Sequence, residues 1–464
     1  MHSNGDQIVY TNKARCRDCY RCVRACPVKA IRMEAGQAQV EASRCIACGT
    51  CIRECPQEAK TCRHDLDRVK ELIRTNRIVV ASVAPSFAAV FEEWAVGRLP
   101  SVLRRLGFRA VSETAEGAWH VAQRTAEYIR THPGRIHIGT ACPAVVEFVE
   151  RYRPDRLGDL IPVPSPMVFH ARMLRERYGP EARVVFIGPC AAKKSEAERP
   201  EYAGLIDAVI GFPELLEWFD EEHVDLEKCE ESAFDGTPGG SARLFPLAGG
   251  SLRTADLGTD LLDAEILTVT GSEEFLAALD ATDLGSVRMI EPLFCPGGCV
   301  GGPLAGSTRS LFARRADVLA YAKHNPGRKE GVPLKAEAPS PAFGASSPDA
   351  GREITEDAIR AVLKQTGKSL PEHQLNCGSC GYPSCRDQAT AVLRGMAEPE
   401  MCIPYMRRIA EQRSDRILET SPNGILIVDR DLRILSMNPA FRKIFMCSDA
   451  LLGEPVSRLM DPDP

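Results

Sequence analysis

Eight cysteines between Arg15 and Pro56 constrain this chain more than any other feature. They run Cys16, Cys19, Cys22, Cys26-Pro27, and then Cys45, Cys48, Cys51, Cys55-Pro56, so the second set repeats the first 29 positions later. Thiols held at so regular a spacing point to metal ligation. Two iron-sulfur cubanes suit eight sulfurs with paired prolines better than a pair of zinc knuckles, the other chemistry open to them. The full chain has 464 residues and 19 cysteines, and its first residues, MHSNGDQIVYTNKARC, lack the apolar core of a signal peptide. In a chain of this size that combination implies reduced, metal-binding thiols and a cytoplasmic location rather than a disulfide framework.

Composition excludes several classes. The 58 basic and 63 acidic residues give a net charge of -5, which makes no electrostatic case for nucleic acid or an anionic membrane. No apolar run reaches the roughly 18 residues of a membrane span. Length alone implies about three domains.

The cysteine repeat resembles the two-cluster bacterial ferredoxins, in which each fourth cysteine crosses to the other cluster. The resemblance implies one 4Fe-4S cluster on Cys16, Cys19, Cys22 and Cys55, and a second on Cys45, Cys48, Cys51 and Cys26. Cys62 has no partner in the pattern and reads as a small apolar residue.

From about Ile78 to Pro303 apolar runs alternate with amphipathic segments, the signature of an α/β domain. Strands are expected at Ile78–Ala84, Arg135–Ile138, Arg183–Ile187, Ile206–Ile210 and Val287–Ile290, and helices at Glu92–Leu106 and Ala115–Ile129. Three of these strands are followed by cysteines in special contexts: Cys142 in GTACPAVVEF, Cys190 in GPCAAKKSE, and Cys295 with Cys299 in FCPGGCVGGP. Groups just past the carboxyl ends of strands in an open α/β sheet converge on one crevice, so these four thiols are expected to meet. The glycines let the backbone take positive φ and approach a bulky ligand.

These residues resemble the three signatures of iron-only (FeFe) hydrogenases: TSCCP, PCxxKxxE, and a C-x3-C element followed by two glycines. The likeness extends to GFRAVSET at 107–114, PSPM at 164–167 and TPGGSA at 237–242. It implies an H-cluster, a 4Fe-4S cubane on Cys142, Cys190, Cys295 and Cys299 that is joined through Cys299 to a two-iron site. It further implies that Lys193 donates to a cyanide ligand of that site and that Glu196 supports Lys193. The first signature is altered. Ala141 stands where the family carries its proton-transferring cysteine, and Gln123, Arg124 and Thr125 stand where it has acidic residues, with Glu127 nearby. Gly188 and Phe294 replace the methionine and alanine expected to flank the two-iron site. An alanine methyl cannot titrate, so low turnover is expected.

Residues 325–353, with five prolines in the stretch Asn325–Gly351, read as a flexible linker. Beyond it Thr355 can cap a helix, and Cys377, Cys380, Cys385 and Cys402 resemble the small four-cysteine iron-sulfur domain of corrinoid iron-sulfur proteins. That likeness implies another 4Fe-4S cluster, although zinc would suit four thiolates equally well. Residues 406–420 read as a helical connector. In the last stretch Gly424–Val428 and Leu432–Met437 read as strands, followed by a helix with Asn438 at its cap and Pro439 in its first position. It resembles the opening of a PAS sensory domain. Cys229 and Cys447 carry no motif.

The expected organisation is therefore a two-cluster ferredoxin-like α+β domain (1–70), an α/β H-cluster domain (71–324), the linker, a four-cysteine domain (354–405), the connector, and a partial PAS-like α+β segment (421–464). The function implied is a sensory FeFe hydrogenase that binds or slowly converts dihydrogen and passes its redox state to the PAS segment. Its expected partners are dihydrogen and protons, a redox protein or a signalling kinase or phosphatase, and a second copy through the PAS-like segment. A competent hydrogenase with a different proton route and an iron-sulfur assembly factor lacking the two-iron site are the alternatives.

Overall fold

The computed structural model describes residues 7–258, 264–323, 340–348 and 354–459. Contacts divide the chain into two units, Met1–Glu353 and Ile354–Pro464.

The first unit opens with the cysteine repeats. Val9–Thr11 pairs antiparallel with Lys60–Cys62, and Ile31–Glu34 with Gln37–Val40. The second pair closes through Ala35 and Gly36, both at positive φ, as a tight hairpin requires. Each cysteine run ends in a short helix, Arg21–Ala25 or Thr50–Arg53, entered through a left-handed residue, Tyr20 or Gly49.

Helix Leu66–Thr75 leads into a four-stranded parallel sheet ordered Ala110–Glu113, Val79–Val83, Arg183–Ile187, Ala208–Ile210. Val79–Val83 is buried at every position, as expected for a strand covered by helices on both faces. One apolar core, with Phe87, Leu99 and Trp218, and another, with Met167, Val168 and Leu174, pack against this sheet. A second parallel sheet is ordered Ile266–Thr270, Met289–Leu293, His137–Ile138. The cysteines expected at one sheet's edge thus follow strands of two sheets: Cys190 the first, Cys142 and Cys295 the second.

The expected helix Glu92–Leu106 is two helices, Glu93–Val96 and Leu99–Arg105. Pro100 has no N–H to continue the ladder across the join, so a new helix starts there. Helix Ala115–Thr131 matches its expectation closely. The strand placed at Val287–Ile290 lies at Met289–Leu293. Of the expected linker, 340–348 is described and packs within the first unit: Arg199 donates to Ala342 O (3.1 Å), while Gly344 N and Ser346 N donate to Glu150.

In the second unit, helices Glu356–Gln365 and Cys385–Leu393 pack through Val362, Leu363 and Ala389. Thr355 accepts the expected capping bond from Ala358 N, and Ser384 caps the second helix by accepting from Asp387 N. Helix Ile403–Thr420 precedes the hairpin Leu426–Val428 with Ile434–Met437, and helix Pro439–Ile444 is capped by Asn438. Ile434, Met437 and Phe441 form the core there. Among the described residues no helix is long and apolar enough to cross a membrane.

Candidate iron-sulfur and hydrogen site

Local geometry explains the glycines of FCPGGCVGGP. Gly297 and Gly298 sit at φ 71° and 91°, the left-handed region where a Cβ is strained. A Cβ on Gly302 would stand 2.4 Å from Pro189 O. The close approach is therefore to the protein's own backbone, and it seats the Cys299 loop against the Pro189-Cys190 turn. Leu304 N donates to Pro189 O (3.0 Å) across the same seam.

The four thiols are brought together. Burial pushes Cys295 well up, and Cys190, Cys142 and Cys299 add to it; burial, then Cys142 and Cys190, push Cys299 up. Cys190 is pushed up to about 12 by burial and then by Cys142, while Lys193 opposes the shift. Four half-buried thiols in mutual range, with a cation beside them, fit a cubane: binding iron displaces the protons that Cys190, Cys295 and Cys299 would otherwise keep.

Lys193 is 8% exposed, and its Nζ donates to Glu196 Oε2 (2.7 Å) and to Ala141 O (3.4 Å). Ser165 Oγ donates to the same carboxylate oxygen at 2.9 Å. This fixes the ammonium beside the crevice. Ala141 presents only a methyl to a cavity of about 30 Å³ that Thr125 and Glu291 also line.

Glu291 was not foreseen. It is 5% exposed and accepts from Gly249 N (2.6 Å), Ser251 N (3.1 Å) and Ser251 Oγ. Burial raises its carboxyl, and the Ser251 and backbone bonds oppose that rise. A lone acid inside the apolar strand MIEPL was the available signal. The expected acidic positions hold no carboxylate: Gln123 donates to Thr254 O, Arg124 lies over the Phe169 ring, and Glu127 is exposed. Phe294 is buried beside Phe148 and Phe275. At Gly188 a Cβ would meet the Phe186 ring at 2.7 Å, so a larger side chain has no room.

In the N-terminal repeats, Cys22 is raised by burial and feels Cys16, Cys19 and Cys55, whereas Cys51 feels Cys45, Cys48 and Cys26. The second repeat sits on the crevice. Cys48 feels Cys142, and Arg53 acts on Cys295 and donates to Gly301 O (3.4 Å). A Cβ on Gly49 would lie 2.4 Å from Pro303 Cγ. Tyr152 OH reaches Arg44 O at 2.6 Å, and Arg151 reaches Ser43 O at 2.9 Å.

In the second unit Cys377, Cys380, Cys385 and Cys402 line one cavity of about 80 Å³. The Ser379 hydroxyl lowers exposed Cys377, and burial raises Cys380. Among the described residues, no three His, Cys, Asp or Glu side chains are gathered tightly enough to hold a single metal ion. Cys62, Cys229 and Cys447 stand outside these groups; Cys62 is pushed up to about 12 by burial.

Parallel sheets that bring four thiols together, beside a repeat of eight more, define an iron-sulfur protein. Residues 77–303 match the family model of the iron only hydrogenase large subunit, C-terminal domain. Further family models match a 4Fe-4S dicluster domain at 8–56, an Fe-S cluster domain at 370–404 and a PAS domain at 412–464. The chain is 27% identical over 318 residues to the NADP-reducing hydrogenase subunit HndD of Solidesulfovibrio fructosivorans, covering 54% of each chain. It is 26% identical over 362 residues to the periplasmic [Fe] hydrogenase large subunit of Nitratidesulfovibrio vulgaris, covering 64% of this chain and 85% of that one. To the cytosolic Fe-S cluster assembly factor NAR1 of Vanderwaltozyma polyspora it is 37% identical over 92 residues, covering 20% and 18%. The chain thus spans about half the length of the first of these relatives.

Proposed function

We propose that this is a cytoplasmic sensory hydrogenase-like protein that binds or slowly converts dihydrogen and relays its redox state through cubanes to the PAS segment. The observation that carries the reading is Ala141: the cubane cysteines and the Lys193–Glu196 pair are present, and no titratable side chain stands where the family's proton-carrying thiol would be. When bound, the H-cluster supplies the hydrogen chemistry. The chain's own residues would hold it through Cys142, Cys190, Cys295 and Cys299, with the Lys193 ammonium and the second ferredoxin-like cysteine set beside it. Two cubanes on that repeat and one on the C-terminal cysteines form the proposed electron route. The partners proposed are dihydrogen and protons, then a redox protein or a signalling kinase or phosphatase, with a second copy at the PAS segment.

The test is hydrogen turnover of protein matured with the two-iron cofactor, alone and as Ala141→Cys. Restoring the thiol is expected to raise turnover about 10²- to 10⁴-fold, the usual contribution of a positioned proton donor. Rates in the starting protein that match producer enzymes, with no gain on substitution, would overturn the reading. Infrared bands of CO and cyanide on iron separate it from an assembly factor, which lacks the two-iron site.

Glu291 favours a second reading, a competent hydrogenase with another proton route, because its carboxyl lines the same cavity as Ala141. Under that reading Glu291→Gln abolishes turnover and Ala141→Cys changes little.

A further inference from the structure

Lys368 belongs to no motif, yet it is 5% exposed and its Nζ lies 3.0 Å from Cys402 Sγ. The backbone fixes it there. Helix Glu356–Gln365 ends with Gly367 at φ 72°, Gly367 N donating to Lys364 O (3.0 Å) and Lys368 N to Leu363 O (2.7 Å). That pair of bonds is the Schellman closure, with glycine at the left-handed position. Lys368 is therefore directed into the cavity that the four C-terminal cysteines line.

The N-terminal cysteines receive different donors. Cys26, Cys45 and Cys55 accept from the backbone N–H groups of Ala30 (3.2 Å), Ala47 (3.4 Å) and Ala59 (3.2 Å). Lys60, whose field reaches Cys22 and Cys51, directs its own ammonium to Thr11 Oγ1 and Ala38 O. Hydrogen bonds to cluster sulfurs and nearby charge set an iron-sulfur potential, and a charged donor is roughly twice as strong as a neutral one. Reduction adds negative charge to a cubane and its sulfurs, so an ammonium on one sulfur stabilises the reduced form more than the oxidised form.

We infer that Lys368 is a positioning residue for the C-terminal cluster, and that its ammonium-to-sulfur bond makes this cubane easier to reduce than the ferredoxin-like pair. The C-terminal cubane is then where electrons released in the first unit collect. This rests on the reading of the four-cysteine site as a 4Fe-4S site.

The experiment uses the full chain with its iron-sulfur clusters reconstituted, in a redox titration followed by electron paramagnetic resonance, with iron and zinc counted in the same samples. In Lys368→Met one cubane component is expected to shift, its reduced-to-oxidised ratio at fixed potential falling at least tenfold, about 59 mV for a one-electron couple. The other components stay in place, and Lys368→Arg recovers most of the shift. If Lys368→Met loses iron, the same comparison is made with Lys368→Gln, which keeps a neutral donor and should move the component part of the way. Titrations that superimpose at unchanged iron content overturn the inference. Zinc at this site in the starting protein overturns the cubane reading itself, which the metal count shows separately.

Discussion

Lys194 gives the sharpest test of how the first unit is held together. Its side chain is fully buried, with Nζ 2.9 Å from Asp65 Oδ2 and 3.1 Å from Glu214 Oε2. The three residues join the start of helix Leu66–Thr75, the helix after Cys190 and the helix Phe212–Glu221. Arg63 grips Asp65 at 2.9 Å and the more exposed Glu198 at 2.6 Å, so two cations face the two buried carboxylates and Glu198 lies at the rim. Lys194→Met leaves one buried negative charge without a partner, a change that ordinarily costs about 3–5 kcal/mol. Glu214 still accepts from Asp65 N and Gly211 N (both 2.7 Å), which places the expected loss near the low end, about 3 kcal/mol. Unfolding in guanidinium, followed by fluorescence of buried Trp218 on the Glu214 helix, reads it directly. With a slope of roughly 2–6 kcal/mol/M, the midpoint should fall by about 0.5–1.5 M. Lys194→Met with Glu214→Gln restores the balance of charge and should recover at least half of that loss. A midpoint shift below about 0.2 M, or a double variant no better than the single one, would refute this account.

His170 predicts a pH dependence. It is fully buried, and burial lowers its pKa from the ordinary 6.5, with Glu116 opposing and Arg177 adding to the fall. The folded state therefore keeps His170 neutral while the unfolded chain takes up a proton. Stability should fall as pH drops below about 6.5, by up to about 1.4 kcal/mol per unit, until the folded value is reached. Burial pushes Glu116 up, but His170 and Arg177 outweigh it and hold the carboxyl well below the usual range. At 3.7 Å from His170, against 2.7 Å from Arg177, Arg177 is its firmer partner. Glu116 thus contributes stability above the ordinary carboxylate value that is lost progressively as the pH falls below it, leaving the window from about pH 6.5 to 5 to His170. Thermal midpoints of His170→Gln should be flatter across that window, and an unchanged slope would count against the argument. In the second unit, Asn438 accepts from Ile425 N and Phe441 N (both 2.8 Å) and donates to Leu418 O (3.0 Å) and Asn423 O (2.8 Å). Asn438→Ala should cost about 2–4 kcal/mol, from the lost cap and the unpaired backbone groups, seen as faster amide exchange at Phe441. Asn438→Asp, which keeps both acceptor bonds, should lose less.

Features set by local pattern were legible in the sequence. Arg183–Ile187 is a contiguous β-branched run, and its bounds agree with the strand. The strand before Cys295 was harder because Pro292 should end it. Pro292 faces the side of Ile290, whose O accepts from Gly139 N, and the partner strand there stops at Ile138, so its missing N–H costs no ladder bond. Ala141 could be read because it departs from a spaced motif. Glu291 offered only its charge within an apolar run and Lys368 offered no signal, because each acquires its neighbours only when distant segments fold together.

Gly49 carries one more consequence. Its counterpart in the first repeat, 29 positions earlier, is Tyr20, which takes the same left-handed turn at φ 55° with a full side chain. The turn itself therefore tolerates bulk, and it is Pro303, within 2.4 Å of a Gly49 Cβ, that forbids it. A module with near twofold internal symmetry is thereby keyed: only the half that carries glycine can face the crevice. That single missing side chain fixes which cysteine set lies beside the crevice and which lies away from it.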